Sequence, residues 1–179
     1  MFPYRPALCA AVALAAAACT PSLNWREVRL APTTAVALLP CKPDRAERSV
    51  PLGGEPTTLA VSGCEAGGAT FALMAAKVPA GRAPDELLAG WQQATLANMR
   101  VSGTPARQPF HPPKGLPLAH AQRVVAQGQQ ADGRSVTAQA VWTARTAGDG
   151  GTELVHAVMY AERPQPAVAD AFFEGIKWP

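Results

Sequence analysis

Three sets of residues in this 179-residue chain could do chemistry: the cysteines at 9, 19, 41 and 64, the histidines at 111, 120 and 156, and the adjacent carboxylates Asp85 and Glu86. A thiol can attack, bind a metal, pair with another thiol or carry a modification. A zinc site needs paired Cys or His at short spacing. Neither Cys41 nor Cys64 sits in a C-x-x-C, and no two histidines stand at H-x-x-x-H. Ser102 lies in VSGTP, without the G-x-S-x-G turn that exposes a nucleophile. The pairs Gly53-Gly54 and Gly67-Gly68 lack the G-x-G-x-x-G that cradles phosphate. Asp85 and Glu86 follow Pro84 at a helix start, where the helix dipole accounts for acidic residues without acid–base work. His111 stands in a proline-rich loop and reads as exposed. His156 alternates with Leu154 and Val158 and reads as a partly buried, hydrogen-bonded side chain. Trp91, Trp142 and Trp178 read as core aromatics. No catalytic residue, no metal site and no cofactor emerges, and the chain reads as a non-enzyme.

Cys19 is different because of what precedes it. Ala7 to Ala18 is an unbroken apolar run. A membrane-spanning helix needs about 20 apolar residues, whereas the apolar segment of a secretory signal needs about 7–15. Ala16 and Ala18 fit an A-x-A cut that would leave Cys19 as the new N-terminus. Residues 1–18 therefore read as a signal peptide. The stretch Leu14-Ala-Ala-Ala-Ala-Cys19 resembles the lipobox of bacterial lipoproteins, with Ala16 where that pattern usually has leucine. The resemblance implies a diacylglycerol thioether (with palmitate among the usual acyl groups) on Cys19 and cleavage just before it. It also implies a partner in the membrane itself and a place in the cell envelope, facing the periplasm. Thr20, rather than Asp, after the cysteine resembles outer-membrane sorting. Two acyl chains suffice for stable anchoring without a transmembrane helix.

Cysteine parity follows from that assignment. Cys9 leaves with the signal and Cys19 carries lipid, so Cys41 and Cys64 remain. In an oxidising compartment two thiols can pair. A structural disulfide is the favoured reading over a metal pair, a redox pair or two separate thiols.

The mature chain would keep enough residues for one domain with a real core. Basic residues number 16 against 13 acidic ones, and they are scattered singly. A nucleic-acid binder would show a basic stripe or a recognisable motif, so nucleic acid is excluded as a partner. No second apolar run approaches membrane-spanning length.

The elements that must position these residues follow from period and punctuation. Residues 19–34 contain two prolines and little periodicity, and read as a lipidated tether, although Trp25 and Val28 could dock on the domain. Apolar runs between glycine and proline turns predict strands near 35–40, 47–52, 57–64 and 69–77. Leu88, Trp91, Thr95 and Met99, widened by Leu87, form the stripe of an amphipathic helix over 84–100. Residues 103–117 hold five prolines and read as an irregular connector. Strands near 119–130, 134–144 and 152–161 make a meander, with Asp132-Gly133 as a hairpin signal. A last helix near 166–176 carries Val168, Phe172, Phe173 and Ile176. The fold class is α+β: an antiparallel sheet of about seven strands flanked by two helices.

That order, from AVALLPCKP through the Asp-Gly meander to AFFEGIKW, resembles proteobacterial lipoproteins whose domain is similar to the PsbP-like fold, an α/β/α sandwich. On that resemblance residues 35–179 form a single domain. It implies a binding or assembly accessory rather than an enzyme, and supplies no active-site residues. The favoured expectation is a non-catalytic envelope lipoprotein that binds a protein partner. The alternative is a small-ligand carrier with a pocket between helix and sheet, which a deep apolar cavity would favour. Metabolic labelling with a fatty-acid analogue should mark the wild-type chain and leave Cys19→Ser unlabelled; equal labelling of both would remove the anchor.

Overall fold

The computed structural model describes residues 22–130 and 132–179, so the stretch 1–18 read as a signal and the expected lipidation site Cys19 lie outside the described residues. Nine strands and two helices are present among them. A small sheet pairs β1 (Arg26–Arg29) with β2 (Val36–Leu39). The main sheet contains β3 (Asp44–Leu52), β4 (Glu55–Ala66), β5 (Ala69–Val78), β6 (Ser102–Pro109), β7 (Gln122–Gln129), β8 (Ser135–Thr146) and β9 (Thr152–Ala161). It is antiparallel throughout, in the order β3-β4-β5-β9-β8-β7-β6. Helix α1 (Pro84–Asn98) covers one face; the small sheet and α2 (Pro166–Glu174) cover the other. The expected α+β sandwich with a seven-stranded antiparallel sheet is the observed one.

Membership of that sheet differs from the expectation in two places. The run at 35–40 pairs with residues 26–29, inside the stretch read as a tether, where Val28 and Leu30 are buried in the core. The seventh strand of the main sheet is instead β6, within the proline-rich stretch read as an irregular connector. Proline is compatible with a strand at a sheet edge, where half the amides need no ladder partner. Accordingly β6 is an edge, and its register to β7 breaks between Ser102 and Ala106, across Pro105. Only 110–121 remains irregular, held by the Phe110 amide on the Ala121 carbonyl and by the Leu116 amide on Ala144.

The central strands are buried on both faces. Along β8, Val136, Ala138, Ala140 and Trp142 turn towards α1, while Thr137, Gln139 and Val141 turn to the opposite layer. Helix α1 buries Leu87, Leu88, Trp91 and Met99, as the stripe required. It starts with Pro84 at the first helical position, where a missing amide costs nothing. It ends on Arg100 in the left-handed region, with the Val101 amide reaching back to the Leu96 carbonyl. Helix α2 inserts Phe172 and Phe173, and Phe71 meets Phe172 edge-on at 5.2 Å. A Cβ on Gly175, just past α2, would lie 2.8 Å from the Leu38 Cβ, so glycine lets the chain close onto β2.

Two devices fasten the small sheet. Glu153 of β9, buried, accepts hydrogen bonds from the Thr34 amide (3.1 Å) and hydroxyl (2.8 Å) in the β1–β2 turn. Cys41, two residues past β2, is disulfide-bonded to Cys64 of β4, with Cα atoms 6.0 Å apart. The favoured pairing is therefore present. A closed loop of this length stabilises by roughly 3 kcal/mol through the entropy of the unfolded chain. Replacing both cysteines by alanine should lower unfolding stability in urea by about that amount, and an unchanged midpoint would show that the bridge contributes nothing.

Candidate ligand-binding groove

Chemistry-bearing residues are dispersed over the molecule. Among the described residues no three His, Cys, Asp or Glu side chains converge as metal ligands. His111 is exposed. Asp85 accepts the His120 amide at 2.8 Å and meets the His120 ring nitrogen Nδ1 at 2.9 Å. Burial pushes the Asp85 carboxyl up, but the hydrogen bonds and charge of His120 outweigh it and leave the pKa below the usual value. The pair ties the start of α1 to the connector before β7. Glu86 beside it is exposed.

What the elements do assemble is a groove of about 920 Å³ between α1 and the sheet. Strands β3 and β4 supply Val50, Leu52, Leu59 and Val61; β5 supplies Met74. Helix α1 contributes Gly90 and Ala94, small residues one turn apart, beside Trp91. From β9 come His156 and Tyr160, which share a face because side chains on a strand repeat every second residue. The lining is mostly apolar, and the volume lies in the range that holds small molecules. The Tyr160 phenol is pushed up by burial and stays a neutral hydroxyl.

The β3–β4 turn lines the groove through Gly53 and Gly54. The Arg82 guanidinium donates to the Leu52 and Gly53 carbonyls at 2.9 and 3.1 Å and pairs with Glu55 at 2.9 Å. Gly53 has φ +61°, and a Cβ there would lie 2.6 Å from Leu87 of α1. A larger residue there would adopt a strained left-handed backbone and displace the ends of the Arg82 and Leu87 side chains. Asn98, Gln130 and Tyr160 also line the groove.

His156 is buried to 1 % exposure at the groove floor, not partly buried as its alternation suggested. Its ring stacks on Trp142, directly across the ladder, at 4.3 Å and 5°. Trp91 closes over it edge-on at 5.4 Å. The Nδ1 atom lies 3.0 Å from the Val141 carbonyl. A carbonyl only accepts, so Nδ1 carries the proton and Nε2 presents a bare lone pair. That Nε2 is buried with no hydrogen-bond partner among the described residues. The histidine was singled out from sequence, but its partners were not: Trp142 and Trp91 come from different elements, and only the fold brings them together.

No protein-family model matches the chain, and no curated protein matches it.

Burial lowers the His156 pKa from 6.5 to about 4. The folded chain therefore keeps this ring neutral while the unfolded chain protonates it below about pH 6.5. Stability from this residue is full above that pH and falls as pH drops towards 4, by about 3 kcal/mol in all. Urea unfolding of His156→Phe, compared with wild type across that window, should show a smaller loss on acidification; identical pH profiles would rule out a buried neutral histidine.

Proposed function

We propose that this chain is a non-catalytic, lipid-anchored protein of the bacterial cell envelope that carries a small apolar ligand between α1 and the sheet. The observation that supports the reading is the groove itself: about 920 Å³, lined mainly by carbon and bordered by a hairpin turn that Arg82 clamps. A groove this size exposes apolar side chains at a cost of about 25 cal/mol for each Å² left in water, and a ligand that covers them recovers it. The anchor fits the same role. Six residues separate Cys19 from Arg26 at the start of β1, so seven residue steps give a span of at most about 25 Å. Lipidation at Cys19 would hold the domain close to a membrane. No helix among the described residues is long and apolar enough to cross one.

The partner-binding accessory role uses the same anchor but calls for a broad exposed apolar patch. Here Val50, Leu59, Val61 and Met74 turn into a concavity instead, which favours a small ligand over a flat protein surface. The full chain should bind the apolar fluorophore N-phenylnaphthylamine saturably. Ala94→Trp, which puts an indole into the groove from α1, should weaken that binding by at least about tenfold, in line with a filled cavity. Non-saturable binding, or equal affinity in both chains, would end the carrier reading.

A further inference from the structure

We infer that the groove selects a neutral apolar ligand bearing a hydroxyl, which donates its hydrogen bond to Nε2 of His156. The inference rests on the groove reading above and adds the chemical class of the ligand.

Nε2 belongs to a ring that lines a mostly apolar groove, whose other polar lining side chains include Thr95, Asn98, Gln130 and Tyr160. It is buried, it lacks a protein partner among the described residues, and its role is set by the other nitrogen of the ring. With Nδ1–H committed to the Val141 carbonyl, Nε2 can only accept. A buried acceptor left without a donor carries an uncompensated desolvation penalty, so a ligand that brings a donor gains more than one that brings carbon. The ring cannot swing away to find water, because Trp142 lies flat against one face and Trp91 closes over it edge-on.

The alternatives can be sorted by what each would place opposite a lone pair. An ionised carboxylate presents only lone pairs and would be repelled, besides losing its hydration. An ammonium group could donate but would enter an apolar groove as an unpaired charge. An amide would bring a donor together with a carbonyl that needs a donor of its own. An ether or alkane fills space and leaves Nε2 as it was. A hydroxyl donates one hydrogen bond and leaves little unmet, and the apolar body behind it covers Val61, Met74 and Leu59.

The test uses matched ligands of one chain length, added to the full chain with N-phenylnaphthylamine bound: dodecanol, dodecyl methyl ether and dodecanoate at neutral pH. Dodecanol should displace the probe with about tenfold higher affinity than the ether, the effect of one buried hydrogen bond, and dodecanoate should be the weakest. In His156→Phe, which keeps a flat ring against Trp142, alcohol and ether should become equal once each is scaled to the variant's own probe affinity. Equal affinities in wild type, or an alcohol preference that survives in His156→Phe, would overturn the hydroxyl assignment and leave the groove standing. Should that variant not fold, the wild-type chain decides by NMR: dodecanol should move the His156 imidazole resonances and the ether should not, and identical responses would overturn the assignment. Failure of the probe to bind at all would remove the groove reading and this inference together.

Discussion

Strand β9 has solvent on neither face, and the architecture follows from meeting that constraint. Leu154 and Val158 need cover on one side; Val155, Ala157 and Met159 need it on the other. The chain supplies two unequal covers. On one side the small sheet, α2 and the segment after it present Leu39, Phe172, Phe173 and Trp178 together. On the other there is one helix. A helix with its side chains is about 10–12 Å across, whereas seven strands at about 4.8 Å spacing span roughly 29 Å. One helix cannot fill that width, and inward side chains of β3 and β4 line a hollow beside it.

Two sets of contacts border the hollow. Arg82 pins the β3–β4 turn through two main-chain carbonyls and the Glu55 carboxylate. At the floor, the Trp142–His156–Trp91 stack is rigid through ring contact rather than hydrogen bonding. Burying a polar ring there costs stability unless both nitrogens are met, and only one is met by protein.

Much of the fold was legible in the sequence because its signals were local. The α1 stripe, the Asp132-Gly133 turn and the Phe172-Phe173 pair depend on residues near one another in the chain. The bridge between Cys41 and Cys64 was legible by a different route, cysteine parity under the expectation of export. What escaped was decided by distant partners. Residues 26–29 are four residues of weak strand character that form a strand because 36–39 lie opposite. Strand β6 reads as a breaker until β7 is beside it, since proline is forbidden only where both edges are paired. The groove was legible only as a possibility. Gly90 and Ala94 mark a small-residue patch on α1, yet nothing in one sequence says that Val61 and Met74 face it across a gap.

The two edges of the main sheet share a property with consequences for many copies crowded into one plane. Strand β3 carries Asp44, Arg45, Glu47 and Arg48 before Pro51, and β6 carries prolines at both 105 and 109. An open sheet can grow by taking a neighbour's strand onto its rim, and charges and prolines there oppose that growth. Copies pressed together would find no rim on which to polymerise. The same wide sheet that leaves room for a ligand can thus be packed densely without fusing into a continuous ribbon.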